Sequence, residues 1–251
     1  MSAASPPSRA AIVVPCYDEA ARLDVGRLLE LGRRAGALII AVDDGSTDGT
    51  GKLLAAAAQR APASIIVVGL PVNRGKGEAV RAGMHAAMER GSSIIGYYDA
   101  DHATPEAEMA RLVSLLDERP DLQVVLGARV GLLGHDIDRS PWRHYLGRLY
   151  ATASSTVLGL AVYDTQCGAK VFRDGPALRA ALAQPFTSRW SFDVELLGRL
   201  TRSGVPAGAF LEVPLQSWSD VRGSKLGPGA AVTAAADLAR VARALRRFRH
   251  A

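Results

Sequence analysis

Cysteine is scarce in this chain, since Cys16 and Cys167 are the only two among its 251 residues. They lie in different sequence motifs, so neither a disulfide framework nor a zinc-ligand spacing can be assigned to them. Long apolar runs are also missing, because no stretch reaches the roughly 18 residues that indicate a membrane span. Residues 1–10 lack the apolar core of a signal peptide. We therefore expect a cytoplasmic protein.

Acidic residues are outnumbered by basic ones. The chain has 25 Asp and Glu against 30 Lys and Arg, which gives a formal net charge of +5. This balance favours anionic substrates or an anionic membrane surface. The basic residues are not interleaved with aromatic ones, and no helix-turn-helix, RRM or KH pattern occurs. We expect no nucleic-acid partner.

Apolar strand candidates alternate with segments of helical periodicity in the N-terminal half. This order, with short connections, predicts an α/β fold with a mainly parallel sheet flanked by helices. The predicted strands are residues 11–15, 38–42, 64–69, 94–98 and 122–127, and the predicted helices are 22–34, 48–60, 77–90 and 105–117. Beyond residue 129 we predict helices at 140–159, 192–203 and 229–250, with strands at 169–173 and 209–213. The predicted domain is 9–228, followed by a basic amphipathic helix at 229–251.

The most informative motif is Asp99-Ala100-Asp101, which directly follows the apolar run 94–98. If that run is a buried strand, both carboxylates lie at its carboxyl end, where open α/β sheets bind ligands. Two hard oxygen donors on one turn suit Mg²⁺ or Mn²⁺, which leave coordination positions for phosphate oxygens. The motif predicts a metal–diphosphate site. Solvated turn acids are the alternative, because Asp-x-Asp is common in turns.

Two other predicted strands also end in acidic turns. The first precedes Tyr17 and Glu19, and the second precedes Asp44 and Asp48. The Asp44 carboxylate can accept hydrogen bonds from a base or from ribose hydroxyls, and Tyr17 can either stack on a base or pack. Asp48 has a plainer use as the N-cap of the next helix. All these residues are predicted at the sheet edge that carries Asp99.

A glycine-rich loop, Asn73-Arg74-Gly75-Lys76-Gly77, precedes the predicted helix 77–90. Its glycines let the backbone approach a ligand, and the helix N-terminus together with Lys76 favours an anion. The loop is not a Walker loop, and no dinucleotide-binding glycine pattern follows the first strand. A turn with a solvated lysine is the alternative.

Together, four ordered motifs resemble the family 2 inverting glycosyltransferases of the GT-A fold: Val13-Val14-Pro15-x-Tyr17-x-Glu19, Val42-Asp43-Asp44-Gly45-Ser46-x-Asp48, Asn73-x-Gly75-Lys76-Gly77 and Asp99-Ala100-Asp101. The resemblance covers nearly the whole chain. It implies that the nucleotide of a sugar donor is bound by Pro15, Tyr17, Glu19, Val42 and Asp44. It also implies that the Asp99-Ala100-Asp101 turn binds the donor diphosphate, with Asp99 and Asp101 as ligands of a divalent metal, Mg²⁺ or Mn²⁺.

The C-terminal half narrows the resemblance to polyprenyl-phosphate hexosyltransferases, and most closely to the dolichyl-phosphate β-glucosyltransferases. The motifs that carry it are Asp164-Thr165-Gln166-Cys167-Gly168, Arg189-Trp190-Ser191-Phe192-Asp193 and Gly223-Ser224-Lys225-Leu226. Two departures stand out. These relatives usually have transmembrane anchors, and the mannosyl relatives have a glutamine where this chain has Ala103. The second departure favours a glucosyl donor, UDP-glucose, and leaves His102 as a further metal ligand or a solvated turn residue.

The resemblance also implies a mechanism. A lipid-phosphate acceptor is already anionic near pH 7, so the enzyme has to position it and neutralise its charge. Arg129 and Arg139 suit that task through bidentate phosphate contacts. Lys225 would close over the donor diphosphate as a mobile clamp. Direct displacement at the anomeric carbon would convert an α-linked donor into a β-linked product.

Asp193 and Gln166 leave alternatives open. Asp193 starts an apolar helix, where it can stabilise the helix N-terminus, contact the sugar or have no role. It would be an essential general base only for a hydroxyl acceptor. Gln166 contacts the sugar or the acceptor, or else its buried amide satisfies loop backbone.

Two amphipathic segments suggest where the acceptor is met. The helix around Trp142, Tyr145 and Leu149 mixes aromatic residues with arginines, and the tail places Leu238 and Leu245 at helical spacing beside further arginines. Such helices can lie on an anionic membrane, pack between copies of the chain in a homo-oligomer, or pack on their own domain. The remaining functional alternatives are transfer to a soluble hydroxyl acceptor, GDP-mannose-dependent transfer, and nucleotide-sugar binding without catalysis.

Overall fold

The computed structural model describes residues 9–138, 141–219 and 230–248. The strands are β1 (Ala10–Cys16), β2 (Ala37–Asp43), β3 (Ile65–Gly69), β4 (Ile94–Tyr98), β5 (Val124–Ala128), β6 (Asp136–Asp138), β7 (Ala169–Arg173), β8 (Phe210–Pro214) and β9 (Ser217–Ser219). The helices are α1 (Val25–Ala35), α2 (Thr50–Arg60), α3 (Lys76–Glu89), α4 (Glu106–Glu118), α5 (Pro141–Leu158), α6 (Pro176–Leu182), α7 (Phe192–Arg202) and α8 (Ala230–Arg247), with a 3₁₀ turn at Ala207–Ala209.

Seven strands form one sheet in the order β3-β2-β1-β4-β7-β5-β8. Every neighbouring pair is parallel except the two that involve β7, which runs antiparallel to β4 and β5. Two apolar clusters cover opposite faces of the sheet, so the inner strands β1, β4 and β5 consist almost entirely of apolar residues. The prediction of a mainly parallel α/β sheet flanked by helices is confirmed.

The carboxyl ends of β1, β2 and β4 meet at one edge of the sheet, as parallel neighbours must. The turns after β1 and β2 are joined directly, because Asp44 N donates to the Cys16 carbonyl at 2.9 Å and Thr47 N donates to Asp18 Oδ1 at 2.8 Å. Asp18 adopts a positive φ of 50° in this turn. The acidic turns that the sequence placed on one edge are therefore neighbours in space.

Short elements account for most differences from the predicted secondary structure. Helix α6 has seven residues and was not predicted, and neither was the two-stranded sheet of β6 and β9, whose strands have three residues each. Such lengths are too short for a period of 2 or 3.6 to be visible. Asp48 was wrongly predicted as an N-cap. Gly49 takes that position, while Asp48 accepts hydrogen bonds from Ala20 N and Thr50 N at 2.8 and 2.9 Å.

Helix α8 packs on the same core as the rest of the domain. Leu238, Val241 and Leu245 are buried in the cluster that also contains α7, while Arg243 and Arg246 lie on the exposed side. This is the packed arrangement that the amphipathic pattern allowed. The predicted boundary at 228/229 falls outside the described residues and stays a prediction. Over the described parts of the chain, no helix combines the length and the apolar character needed to cross a bilayer.

Candidate active site

The turn after β4 carries the two carboxylates of the Asp99-Ala100-Asp101 motif. Asp99 N donates to the Gly168 carbonyl at 3.0 Å, which joins this turn to the end of the 164–168 loop. Asp101 Oδ1 accepts a hydrogen bond from Ala103 N at 3.1 Å. Ala100 is buried and packs in the core. The local structure therefore fixes the backbone of the turn on both sides.

Lys76 completes this edge from the N-terminus of α3. Its Nζ atom lies 2.6 Å from Asp99 Oδ1, and about a third of each side chain is exposed, 36% and 34%. Burial opposes the charge of Lys76, but the carboxylates of Asp99 and Asp193 outweigh it and raise the pKa of the lysine. The lysine is thus a fixed positive charge beside the Asp99 turn, as an anion site requires.

The donor set of this turn fits a divalent cation. Burial and the neighbouring charge of Asp99 raise the pKa of Asp101, so the two acids repel one another and a cation would relieve that repulsion. Across the described residues, no cluster of three His, Cys, Asp or Glu side chains could hold an ion by itself. A metal at Asp99 and Asp101 would therefore need further oxygen ligands, which a diphosphate and water can provide.

The residues expected to bind a nucleotide differ in their exposure. Tyr17 is exposed at the rim and Pro15 is half-buried. Glu19 is buried and forms an ion pair with Arg22. The side chain of Val42 is fully buried against α3, so only its backbone is available to a ligand at this edge.

Asp44 supports the glycine-rich loop. Its two carboxylate oxygens accept hydrogen bonds from Arg74 N at 2.7 Å and from Gly75 N at 2.8 Å. Gly75 adopts a positive φ of 94°, a conformation that a side chain would strain, and its Cα faces Arg189. Asp44 therefore connects the predicted nucleotide pocket to the lysine loop, a role that its sequence position did not indicate.

Arg129, predicted to bind the acceptor phosphate, is already held by a carboxylate. Its Nε and Nη2 atoms donate to the two oxygens of Asp164 at 2.6 and 2.8 Å, and its guanidinium lies 5.2 Å from the centre of the Trp218 ring. Burial opposes its charge, but Asp164 keeps its pKa above the ordinary value. Glu212 in turn anchors the loop by accepting hydrogen bonds from the backbone of residues 163 and 164. Among the described residues, Nη1 of this guanidinium makes no hydrogen bond, so it is available as a further donor.

The 164–168 loop also contains two buried polar side-chain atoms. Gln166 Nε2 and Thr165 Oγ1 are buried and have no hydrogen-bond partner within the described parts of the chain. The amide nitrogen of Gln166 therefore does not satisfy loop backbone there, which was one of its two predicted roles. Buried polar groups of this kind are normally paired, so their position favours contact with a ligand.

The Asp99 side chain packs directly against Gly168. A Cβ atom on residue 168 would overlap the Asp99 carboxylate. Gly168 belongs to the Asp164–Gly168 motif, but the motif by itself indicates no role for it. The signal that identifies it is a close side-chain approach, which is not visible in the sequence.

A buried ion pair behind the site was also missed. Lys170 Nζ lies 2.7 Å from Asp193 Oδ1, and both side chains are buried. Burial lowers the pKa of Lys170 and raises the pKa of Asp193, and the nearby charge of Lys76 opposes only the shift of Asp193. This pair is not visible in the sequence, because nothing local connects Asp193 to a lysine 23 residues earlier.

Two predicted site residues, Arg139 and Lys225, lie outside the described residues, and their roles stay predictions.

On α5, Tyr145 and Leu149 are each 71% exposed, and Trp190 on the loop before α7 is 41% exposed. Trp190 contacts the ring of Tyr150, with centroids 5.2 Å apart. A partly exposed aromatic and apolar surface therefore lies on α5 and the adjoining loop.

The model of glycosyl transferase family 2 matches residues 11–177. The chain belongs to this family. It is 32% identical over 254 residues to the dolichyl-phosphate β-glucosyltransferase of Dictyostelium discoideum, covering 95% of this chain and 74% of the relative. It is 32% identical to the human enzyme of the same name over 247 residues, with 89% and 71% covered. The polyprenol monophosphomannose synthase of Mycolicibacterium smegmatis is 29% identical over 213 residues, with 84% and 77% covered.

Solved GT-A structures share the fold of this family 2 member. Glucosyl-3-phosphoglycerate synthase from Mycobacterium tuberculosis, solved with Mn²⁺, UDP and glucosyl-3-phosphoglycerate, matches with a TM-score of 0.64 at 21% identity, covering 93% of this chain and 80% of the other. Mannosyltransferase PcManGT from Pyrobaculum calidifontis, solved with GDP-mannose and Mn²⁺, has a TM-score of 0.62 at 19% identity, with 97% and 66% covered. These likenesses establish the fold class.

Proposed function

We propose that this glycosyltransferase moves a hexose, glucose, from UDP-glucose to a polyprenyl phosphate such as dolichyl phosphate, with inversion at the anomeric carbon. The two dolichyl-phosphate β-glucosyltransferases above are named for transfer to dolichyl phosphate, and the match to them spans most of this chain. The single observation that carries the proposal is the junction of Asp99 with Gly168. It joins a predicted diphosphate site to the loop whose Asp164 orients Arg129.

The donor is bound at the edge formed by β1, β2 and β4. Tyr17 and Asp44 contribute to the nucleotide pocket, and Lys76 provides positive charge for the diphosphate. Asp99 and Asp101 would hold Mg²⁺ or Mn²⁺, which would supply positive charge for the leaving diphosphate. Mn²⁺ in the two solved neighbours agrees with this choice of metal. Ala103, where the mannosyl relatives have glutamine, favours UDP-glucose over GDP-mannose.

The acceptor phosphate approaches from the side of Arg129. The Nε/Nη2 edge of the guanidinium is taken by Asp164, so the Nη1/Nη2 edge is the one that faces the phosphate. Arg139 adds a second positive charge in the proposal. An acceptor phosphate oxygen attacks the anomeric carbon as the bond from that carbon to the UDP oxygen breaks. The attacking group is already an anion, so no strong general base is required.

The contacts of Asp193 favour a structural role over that of base for a hydroxyl acceptor. Its carboxylate is buried and accepts hydrogen bonds from Lys170 and Tyr97. A general base must be within reach of the proton that it removes. This arrangement favours the phosphate acceptor over the soluble hydroxyl acceptor considered from the sequence.

We further propose that the protein meets its acceptor as a peripheral protein on the cytoplasmic face of an anionic membrane. Tyr145, Leu149 and Trp190 provide exposed apolar and aromatic surface, and the net charge of +5 adds electrostatic attraction. The apolar stripe of α8 is buried on the domain, so this helix contributes through its exposed arginines alone. A homo-oligomer stays a prediction from the sequence.

A screen of donors and acceptors tests the proposal. UDP-glucose, UDP-galactose, UDP-N-acetylglucosamine and GDP-mannose are each paired with a short polyprenyl phosphate in detergent, with Mg²⁺ or Mn²⁺. We expect glucosyl lipid phosphate from UDP-glucose, with loss of product in Asp101→Ala. Donor hydrolysis without lipid product would contradict the acceptor. Binding of a donor with neither hydrolysis nor transfer would indicate a non-catalytic binding protein.

A further inference from the structure

Strand β7 buries a lysine. Lys170 is fully shielded from solvent, although lysine side chains are almost never fully buried unless they are paired. Its Nζ atom donates to Tyr97 Oη at 2.7 Å, to the Cys167 carbonyl at 2.5 Å and to Asp193 Oδ1 at 2.7 Å. These three acceptors use all three donor positions of an ammonium group. The three contacts therefore hold the Lys170 amine in one fixed position.

One of these contacts reaches the turn that supports Asp99. The Cys167 carbonyl, which Lys170 holds, directly precedes Gly168. The Gly168 carbonyl accepts the hydrogen bond from Asp99 N at 3.0 Å, and the Asp99 carboxylate lies against the Gly168 Cα. A shift of the Cys167–Gly168 backbone would therefore move both the main chain and the side chain of Asp99.

The other two contacts reach the same turn through β4. Tyr97 lies two residues before Asp99, and its hydroxyl donates to Asp193. The Lys76 Nζ atom, which pairs with Asp99 at 2.6 Å, lies 5.8 Å from the centre of the Tyr97 ring. Lys170 and Asp193 thus support the Asp99 turn on the side that faces the core.

We propose that Lys170 is a positioning residue for the donor-diphosphate site. By holding the Cys167–Gly168 turn, Tyr97 and Asp193 together, it fixes the Asp99 carboxylate in the orientation that binds the diphosphate with its metal. Asp193 acts as the counter-ion of Lys170 in this arrangement. The inference rests on the proposed function, because it assigns Lys170 to the diphosphate part of that donor site.

UDP alone and UDP with metal separate this role from a purely structural one. The base and ribose of UDP are expected at the ends of β1 and β2, which Lys170 does not contact. Asp99 should contribute only to the increase in UDP affinity that the metal provides. A lysine that merely stabilises the fold would leave that increase unchanged.

The experiment is a calorimetric titration of UDP into the wild type and Lys170→Met, each with and without Mn²⁺. We expect the Mn²⁺-dependent gain in UDP affinity to fall by about tenfold or more, as for other residues that orient metal ligands. We expect the affinity for UDP alone to stay within about twofold, the range of independent sites. Glucosyl transfer should fall together with the Mn²⁺-dependent gain.

Arg199→Met is the matched control. It breaks another buried ion pair, between Arg199 and Glu195 at 2.6 Å on α7, which makes no hydrogen bond to the Asp99 turn. It should lower the melting temperature and keep the Mn²⁺-dependent gain. If Lys170→Met does not fold, Lys170→Met/Asp193→Asn removes both charges of the pair and carries the same comparison. Loss of the gain in that double variant supports the inference.

The outcomes separate the inference from the proposed function. A wild-type Mn²⁺-dependent gain that survives in Lys170→Met, or in the double variant, overturns the positioning role and leaves the proposed function intact. A wild type in which Mn²⁺ gives no gain overturns the proposed metal–diphosphate site, and the inference with it. An equal loss of UDP affinity with and without Mn²⁺ also overturns the positioning role.

Discussion

Asp99 lies directly on Gly168, whose missing side chain leaves the space that the carboxylate occupies. The same two residues are joined by a 3.0 Å hydrogen bond from Asp99 N to the Gly168 carbonyl. The predicted diphosphate site and the loop that holds Arg129 are therefore one connected structure. A substitution at position 168 should therefore affect glycosyl transfer through Asp99, although Gly168 has no side chain that could contact a substrate.

We expect Gly168→Ala to lower glucosyl transfer by about hundredfold, because a displacement of about 1 Å in a catalytic group has that effect. The added methyl group overlaps the Asp99 carboxylate and forces it aside. Steady-state rates of UDP release measure the loss. Gly208→Ala is the control, because a Cβ atom at position 208 meets no atom within 4 Å. Equal rates in wild type and Gly168→Ala would show that the position of Asp99 is not needed.

Lys76→Met should raise the KM for the donor. Loss of one charged hydrogen-bonding group costs about tenfold in affinity for an anionic ligand. The melting temperature should change little, because the Lys76–Asp99 pair is partly exposed and screened by solvent. Donor titrations at saturating acceptor measure the effect, and Lys52→Met on the exposed side of α2 is the charge-matched control. An unchanged donor KM would remove Lys76 from the site.

Arg129→Ala should lower the free energy of unfolding by about 3–5 kcal/mol, because it breaks a buried ion pair by removing the fork that binds the Asp164 carboxylate. Urea denaturation measures this change. The exposed pair of Arg119 and Asp121 provides the control, and Arg119→Ala should stay within about 0.5 kcal/mol of the wild type.

Arg129→Lys keeps the charge but loses the fork that Asp164 binds, so the KM for the acceptor should rise. An acceptor KM equal to that of the wild type would contradict phosphate binding at Arg129.

Both cysteines should resist thiol reagents in the folded protein. Burial raises the pKa of the Cys16 thiol to about 12 and that of Cys167 to about 11. Because the pKa values of the two thiols are raised, the fraction of reactive thiolate at pH 8 is lower by about hundredfold or more. Labelling should accelerate only as the pH approaches these pKa values. A chromogenic disulfide reagent measures labelling, and both thiols should react in urea. Rapid labelling of the native protein at pH 8 would contradict the burial.

Leu245→Ala on α8 should lower the free energy of unfolding by about 2–5 kcal/mol, because it opens a cavity beside Gly198 in the core. Arg246→Ala, one residue further on the exposed side, should change it by less than about 0.5 kcal/mol. Thermal or urea unfolding of both variants provides the comparison. Similar small effects would mean that α8 packs loosely and that its apolar stripe is available to other surfaces.

The sequence alone determined the α/β class, the parallel strands and the acidic turns at their carboxyl ends. These depend on periodicity and turn chemistry within a few neighbouring residues, which the chain displays directly. The positions of Asp44 and Asp99 at one edge also follow from the sequence, because parallel strands of one sheet end together. Family membership rests on the same local motifs.

Only the tertiary structure decided which side chains are paired. It placed Lys170 on Asp193, Asp164 on the fork of Arg129, and the apolar stripe of α8 on α7. These partners come from different strands, loops and helices, so no spacing in the sequence predicts the pairs. Burial makes each pairing obligatory, because an ion or a large apolar side chain is costly in the wrong surroundings. Those surroundings exist only once distant segments have packed together.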